Sequence, residues 1–327
     1  MKDKILKYLI KNKDNGYISG EKISNELDVS RVAVWKYISQ LKEEGFIIES
    51  LRNKGYKLIK NPIDIHPLEI KESLNTSFIG KNIYYFDTLD STNTMAKQHS
   101  KENGAVIISE EQTSGRGRLG RDWTSPKYKG LWFSIVLTPD MEPQYAPMIS
   151  HVAAAALIKS FVNLGFSDVK CKWPNDIIIN GKKVCGILTE LSAELSRINH
   201  IVVGIGINVN LEESDFPMEL LDKASSLKLI RGKDIERKAL LVDILQNFEA
   251  LYEKFEKELD IKTSINICKE YSAVLGKEVY LINKTEKEKV TAIDIDDKGQ
   301  LIVRDAQGNF KKIISGEISV RGINGYI

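Results

Sequence analysis

Residues 110–123 read Glu-Glu-Gln-Thr-Ser-Gly-Arg-Gly-Arg-Leu-Gly-Arg-Asp-Trp and directly follow the apolar, strand-like residues 105–109. Glycine allows the backbone to approach a ligand closely and to adopt positive φ values. Arginine carries a permanent, forked positive charge that suits phosphate and carboxylate groups. A loop of this composition after a strand therefore predicts a cradle for an anionic ligand.

Residues 115–120 also match the pattern G-x-G-x-x-G, which occurs in dinucleotide-binding proteins when a helix begins at the glycines. Here Trp123-Thr-Ser-Pro126 follows, which is a poor start for a helix, and residues 131–137 read as another strand. The sequence therefore argues against a Rossmann fold. An exposed basic loop without any ligand is the alternative at this point.

The length of 327 residues predicts two or three domains. A hydrophobic content of 42% and a charged content of 28% are typical of a globular protein. Residues 1–60 carry 13 Lys and Arg against 8 Asp and Glu, whereas the remainder carries 34 against 37. The first fifth of the chain is therefore the candidate for binding a polyanion.

Cys171, Cys185 and Cys268 are scattered and odd in number, which argues against a disulfide framework. The sequence has no apolar run near the ~20 residues of a membrane span, and its first residues lack the apolar core of a signal peptide. We therefore expect a cytoplasmic protein that does not interact with membranes.

Residues 1–60 have the pattern of three helices followed by a hairpin. Ser19 is the expected N-cap of a helix over residues 20–27, and Ser30 that of a helix reaching about Glu44. Residues 46–50 and 56–59 read as strands around a basic turn. This order resembles a winged helix-turn-helix DNA-binding domain, and a helical protein-interaction domain is the alternative. The candidate DNA contacts are Ser19, Ser30, Arg31, Val32, Trp35, Lys36, Arg52 and Lys54.

Two prolines in residues 61–67 indicate a linker. Residues 68–273 mix short strands with a few helices, which predicts an α+β domain with a mixed sheet. Residues 274–327 read as five short strands separated by turns, which predicts a small SH3-like β-barrel.

Three further stretches carry polar groups that a ligand could use. Asp90-Ser-Thr-Asn93 offers two hydroxyls and an amide, although a helix N-cap would have the same composition. Lys172-Trp-Pro-Asn-Asp176 places a cation, an amide and a carboxylate within five residues, and Lys183 follows after an Asn-Gly turn. In residues 204–210 two glycines within an apolar strand leave room for a flat ligand.

Together these stretches resemble the family of bifunctional biotin–protein ligases and biotin-operon repressors, also called biotin–[acetyl-CoA-carboxylase] ligases. The resemblance extends over the whole chain, and the order and spacing of the motifs are more specific than any one of them. The matching segments are residues 91–93, 112–118, 172–176, 181–188, 204–208 and 316–321.

The resemblance implies a two-step reaction on a class II aminoacyl-tRNA-synthetase-like fold. Biotin and ATP would give biotinyl-5′-AMP and pyrophosphate, and the biotinyl group would then pass to a lysine of a biotin carboxyl carrier domain. Mg²⁺ would accompany ATP, with Asp176 as a candidate neighbour, and no prosthetic group is implied. A ligand-promoted homodimer would bind operator DNA.

The family pattern assigns residues to this reaction by position. Arg118 and Lys183 are the catalytic candidates. The biotin-binding candidates are Ser91, Thr92, Asn93, Gln112, Gly115, Arg116, Gly117, Arg118, Lys183 and Gly186. The nucleotide-binding candidates are Arg116, Arg118, Arg121, Lys172, Asn175, Asp176 and Asn208.

Two alternatives remain from the sequence. A ligase for lipoate or another acid would share the core fold, although the arginine–glycine loop and the DNA-binding domain argue against it. A ligand-sensing repressor without catalysis is the second, and the presence of Arg118, Lys183 and Asp176 argues against that. The family also places an aromatic residue against adenine near residues 212–226, where this chain offers only Phe216.

Overall fold

The computed structural model describes residues 1–195, 197–283, 286–315, 318–323 and 326. Residue contacts divide the chain into two compact units, Met1–Leu74 and Asn75–Ile327.

The first unit is a small helical domain with a two-stranded hairpin. Its core contains apolar side chains from all three leading helices, among them Ile5, Ile23 and Ile38. The elements in order are α1 Lys2–Lys11, α2 Gly20–Leu27, α3 Arg31–Glu43, β1 Ile47–Leu51, β2 Gly55–Lys60 and α4 Pro67–Ser73. This is the predicted order of a winged helix-turn-helix domain.

Both predicted helix caps of this unit are present. The Ser19 hydroxyl accepts a hydrogen bond from the Lys22 amide, and the Ser30 hydroxyl accepts one from the Ala33 amide, each at 3.1 Å. Asp28 has a φ of 50°, which makes the tight turn between the second and third helices. These local contacts fix the orientation of α3 relative to α2.

Within its described residues, the second unit contains a seven-stranded mixed sheet and five α-helices. Neighbouring strands follow the order β3-β4-β5-β9-β8-β7-β6, and only the β3–β4 pair is parallel. The strands are β3 Ile83–Phe86, β4 Val106–Ser109, β5 Leu131–Leu137, β6 Val169–Lys172, β7 Asp176–Ile179, β8 Lys182–Ala193 and β9 Ile198–Ile207. The helices are α5 Thr92–Gln98, α6 Ile149–Asn163, α7 Leu227–Arg231, α8 Arg237–Glu258 and α9 Lys262–Glu270.

Helix α6 is the core helix of this unit. Its four consecutive alanines, residues 153–156, are fully buried, and the helix packs against α8, α9 and the sheet. The helical stretch Pro143–Asn163 is long and apolar enough to pass for a membrane span, but 72% of its most apolar window is buried inside the protein. Its composition is therefore that of a helix covered by its own domain.

The described residues after α9 form a second sheet of five antiparallel strands, which agrees with the five short strands predicted from the sequence. The strands are β10 Glu278–Asn283, β11 Glu286–Ile295, β12 Leu301–Arg304, β13 Phe310–Ile313 and β14 Ser319–Gly322. Their order is β13-β12-β11-β10-β14, so the last strand returns beside the first. Gly316 and Glu317, which open the last matching segment, lie outside the described residues.

A buried ion pair fixes the base of the arginine–glycine loop. Glu110, the residue after β4, is 1% exposed and pairs with Arg237 at the start of α8, with an oxygen–nitrogen distance of 2.5 Å. Arg237 also donates to the carbonyl of Gly130, just before β5, at 3.1 Å, and Tyr85 donates to Glu110 at 3.2 Å. The loop therefore begins from a position that three elements hold in place.

We expect Arg237→Met to lower the free energy of unfolding by about 3–5 kcal/mol, because it leaves the Glu110 carboxylate buried without its cation. The double variant E110Q/R237M should recover part of that loss. Denaturant unfolding measures both. The matched control is Lys257→Met, which breaks an exposed pair with Glu253 and should leave stability unchanged. An equal loss in all three variants would contradict a specific role for the buried pair.

Candidate active site

Two adjoining cavities lie at one side of the seven-stranded sheet. The large cavity has a volume of about 330 Å³ and the small cavity one of about 50 Å³. Both are lined by Gly117, Arg118, Trp123, Asn175 and Lys183. The middle part of a ligand that fills both cavities would therefore lie against the cationic side chains of Arg118 and Lys183.

Neutral polar groups from the start of α5 line the small cavity. The Gln112 side-chain oxygen accepts hydrogen bonds from the Thr92 amide at 2.8 Å and from the Thr92 hydroxyl at 3.1 Å. The Ser134 hydroxyl donates to the Asn93 side-chain oxygen at 2.7 Å. Ser91 precedes the helix and makes no side-chain cap, which leaves its hydroxyl for another partner. The helix begins at Thr92.

The two glycines of β9 have a different use from the one expected. A Cβ on Gly204 would lie 2.2 Å from the Asn93 side-chain oxygen, and one on Gly206 would lie 2.5 Å from the Trp123 indole nitrogen. The space above the glycines thus holds two of the protein's own side chains. Asn93 and Trp123 in turn line the small cavity.

The arginine–glycine loop folds back on itself between the two cavities. The Gly117 amide donates to the Arg121 carbonyl at 2.7 Å, and the Trp123 amide donates to the Gly115 carbonyl at 2.9 Å. A single short turn, Arg118–Gly120, stands where a dinucleotide fold would have its helix, which confirms the argument against a Rossmann fold. A Cβ on Gly115 would lie 2.4 Å from the Trp123 carbonyl oxygen, so this close fold requires glycine there.

Arg118 joins the loop to the neighbouring segments. Its guanidinium donates to the side-chain oxygen of Asn175 at 2.9 Å and to the backbone carbonyl of Ser315. Asn175 in turn donates to the carbonyl of Ile187 at 2.9 Å. The loop, the segment between β6 and β7, and the chain after β13 therefore meet at one guanidinium.

Asp176 lies close to the ammonium groups of Lys183 and Lys172. Its carboxylate is 2.6 Å from the Lys183 ammonium and accepts a hydrogen bond from the Tyr326 hydroxyl. Burial alone would raise the pKa of Asp176, but Lys183 and Tyr326 outweigh it and hold the pKa below its usual value. The carboxylate is therefore ionised at neutral pH, and Lys183 also faces the Trp123 ring at 5.0 Å.

Lys172 is a buried lysine beside this pair, with 4% of its surface exposed. Burial lowers the pKa of its ammonium to about 7, Asp176 acts in the opposite direction, and nearby cations such as Arg321 lower it further. Its ammonium donates to the Tyr326 carbonyl at 2.9 Å. An incoming anion would raise this pKa, so Lys172 can take up a proton as the anion binds.

Most of the residues that the sequence singled out come together here. Nine of the ten biotin candidates line the small cavity, and Gly115 shapes the loop beside it. Six of the seven nucleotide candidates line the large cavity, and Arg116 lies at the small one. Asn208 is buried and donates to the Ser225 carbonyl at 3.1 Å.

Sequence reasoning missed Trp123, Trp173, Arg321 and Tyr326, which all line the large cavity. Phe216, which it named only as the sole aromatic of its segment, lines the same cavity. Trp123 directly ends the arginine-rich loop, and that adjacency was an available signal. Trp173 and Arg321 lie within matching segments of the family pattern, whereas the contacts of Tyr326 depend on the folded chain.

The residues described contain no cluster of three or more His, Cys, Asp or Glu side chains that could hold a metal. Asp176 is one carboxylate among several cations. This donor set fits Mg²⁺ that arrives on substrate phosphates, because Mg²⁺ often uses one or two carboxylates together with such phosphates.

The first unit presents a second candidate surface. On α3, Val32 is 76% exposed and Trp35 is 63% exposed, and Arg31 and Lys36 are exposed beside them. Arg52 and Lys54 are exposed on the hairpin turn, where Asn53 has a φ of 65°. The hydroxyls of Ser19 and Ser30 are engaged as helix caps.

Comparison with known proteins places this geometry in a family. Residues 85–208 match the Biotin/lipoate A/B protein ligase family, residues 2–57 an HTH domain and residues 274–321 the Biotin protein ligase C terminal domain. The chain is 39% identical to the "Bifunctional ligase/repressor BirA" of Bacillus subtilis, over 94% of each chain. It is 29% identical to the protein of the same name from Escherichia coli, over 93% of this chain and 92% of that one.

A solved structure shows the same fold. The "Biotin protein ligase from Aquifex aeolicus in complex with biotin and ATP" superposes with a TM-score of 0.65 at 32% identity, and covers 74% of this chain and 99% of its own. Fold and site therefore define a protein of the biotin/lipoate protein ligase class. Within that class, the chain belongs to the family of bifunctional biotin ligase/repressors, with their N-terminal HTH domain.

We expect the Lys172 side-chain nitrogen to titrate near pH 7 in the ligand-free protein, far below an ordinary lysine. In Asp176→Asn the midpoint should fall further, because the neighbouring negative charge that favours the ammonium is lost. Nitrogen-15 NMR of the lysine side chains measures both midpoints. Lys81, an exposed lysine, is the internal control. A Lys172 midpoint near 10 would contradict the burial argument.

Proposed function

We propose that this protein is an ATP-dependent biotin–protein ligase and a biotin-responsive transcriptional repressor. The main support for the ligase role is the wall that the two cavities share. There Arg118 and Lys183 lie between the small cavity, with its neutral polar groups, and the more cationic large cavity. The observation that supports the repressor role is the helix-turn-helix unit with its exposed α3 and basic turn.

The small cavity suits the ring system of biotin. Ser91, Thr92, Asn93 and Gln112 line it with neutral polar groups. Those of Thr92, Asn93 and Gln112 hydrogen-bond within the protein, so a neutral ring with urea-like polar atoms would share or exchange these bonds without burying a charge. The large cavity suits ATP, since Arg121, Lys172 and Arg321 line it together with the aromatic rings of Trp123 and Phe216. We propose that these rings pack against adenine.

In the first step, a carboxylate oxygen of biotin forms a bond to the α-phosphorus, and the bond to pyrophosphate breaks. Two anions must approach each other, so most of the rate enhancement must come from positioning and positive charge. Arg118 and Lys183 supply that charge where the cavities meet. Mg²⁺ carried by ATP would offset the charge of the leaving pyrophosphate.

In the second step, the amine of a carrier-domain lysine attacks the biotinyl carbonyl carbon of biotinyl-5′-AMP. The carbon–oxygen bond to phosphate breaks, AMP leaves with the electron pair, and the amide nitrogen loses its extra proton. The arginine–glycine loop would close over the mixed anhydride and exclude water until the acceptor arrives. Acetyl-CoA carboxylase or a related carboxylase would supply the acceptor.

The repressor role assigns α3 to the major groove of operator DNA and the hairpin turn to the phosphate backbone. Arg31, Trp35 and Lys36 would contact the groove, and Arg52 and Lys54 the backbone. A homodimer promoted by biotinyl-5′-AMP would present two such units to a two-fold operator of biotin synthesis or transport genes. Both roles would be carried out in the cytoplasm.

Four functional segments follow from this proposal. Residues 1–60 would bind DNA, residues 61–67 link, residues 68–273 catalyse and residues 274–327 form the C-terminal domain. The family matches at residues 2–57, 85–208 and 274–321 support this division. A lipoate ligase that does not bind DNA would not require residues 1–60.

The ligase role predicts biotin-dependent exchange of labelled pyrophosphate into ATP. Lys183→Ala should reduce the exchange by at least about a hundredfold, and Arg118→Gly similarly, because each removes a cation from the developing charge. The matched control is Lys182→Ala, since the Lys182 ammonium donates to the Leu221 carbonyl and lines neither cavity. Exchange with lipoate but not with biotin would overturn the substrate, and unchanged exchange in Lys183→Ala would overturn the site.

The repressor role predicts binding to DNA upstream of biotin synthesis or transport genes, with an affinity that rises when biotin and ATP are added. Lys36→Ala should weaken binding and reduce the salt dependence by about one released counterion. Lys81→Ala, the same charge change on the second unit, should bind as the parent protein does. Gel-shift titration at several salt concentrations measures these effects. An affinity indifferent to biotin plus ATP would rule out co-repression.

A further inference from the structure

Tyr326 makes four contacts with charged groups at the large cavity. Its hydroxyl donates to the Asp176 carboxylate, and its carbonyl accepts from the Lys172 ammonium at 2.9 Å. Its ring centroid lies 3.4 Å from the same ammonium and 5.4 Å from the Arg321 guanidinium carbon. One residue thus engages two cations and the central carboxylate.

The contacts with Lys172 and Arg321 are the ones that an anionic ligand would otherwise make. Lys172 is buried, and a buried ammonium without a partner is costly. The Tyr326 carbonyl supplies the acceptor oxygen that a phosphate would supply, and its ring supplies negative potential to Lys172 and Arg321. Arg121, Lys172 and Arg321 line the same cavity.

We propose that Tyr326 occupies the phosphate-binding end of the nucleotide site when no nucleotide is bound, and that ATP displaces it. This inference rests on the proposed ligase function. Tyr326 would then have a regulatory role, because it stabilises the empty site and competes with the nucleotide for Lys172 and Arg321.

The competition is confined to the nucleotide. Tyr326 lines the large cavity, whereas the residues that line the small cavity do not include it. When a binding-competent state is only partly populated, the apparent affinity falls by the competent fraction. A contact that is closed nine-tenths of the time would therefore weaken ATP binding about tenfold and leave biotin binding unchanged.

The test is calorimetric binding of an ATP analogue with a methylene group between the α- and β-phosphates, which cannot form the adenylate. We expect Tyr326→Phe, which loses only the contact with Asp176, to bind it about threefold more tightly, and Tyr326→Ala about tenfold more tightly. Biotin affinity should be the same in both variants. Steady-state KM values for ATP should fall in the same order.

The matched control is Tyr280→Phe. Tyr280 lies on β10 with the Lys287 ammonium 3.7 Å from its ring centroid, but it does not line the large cavity. Its nucleotide affinity should equal that of the parent chain. Unchanged or weaker binding in both Tyr326 variants would overturn the inference, and weaker binding would make Tyr326 a wall of the site. If the parent chain itself shows no biotin-dependent exchange, the proposed function fails instead.

Discussion

One carboxylate among several cations is the constraint on which the candidate site depends. Asp176 is nearly buried, yet it stays ionised because Lys183 lies 2.6 Å away and Tyr326 donates a hydrogen bond. Lys172 is buried beside the pair with its pKa lowered to about 7. Without the carboxylate these ammonium groups would repel one another at close range. The arrangement keeps positive charge in place before any ligand is present.

Backbone geometry brings that charge to the polar pocket. Gly115 lets the loop turn tightly against Trp123, and Gly204 and Gly206 allow Asn93 and Trp123 to pack onto β9. Arg118 then reaches Asn175 from the loop. Any side chain at these glycines would collide with Asn93 or Trp123, so this packing of the loop and α5 on the sheet requires glycine at all three positions.

The sequence predicted the parts that depend on local chemistry. The caps at Ser19 and Ser30 and the Asn180-Gly181 turn follow from short patterns, and the structure has them. Contacts between distant residues were not predictable in this way. Neither the Asn93 side chain over Gly204 nor the contact of Tyr326 with Lys172, 154 residues apart, leaves a local pattern.

The family motifs predicted some of these contacts between distant residues. They named Lys183 and Asp176 as neighbours of one ligand although spacing alone could not pair them, and the structure brings the two into direct contact. They assigned no role to Trp123 or to Arg321, which ends the last matching segment, although both line the large cavity. A resemblance carries over residues that form motifs, whereas the surrounding walls come from the particular fold.

A crystal structure of the protein with biotin and the methylene ATP analogue would show whether the two cavities form one site for both substrates. We expect the biotin ring against Ser91, Asn93 and Gln112, with the biotin carboxylate and the α-phosphate meeting between Arg118 and Lys183. Biotin bound outside the small cavity, or a phosphate chain away from Lys183, would contradict it.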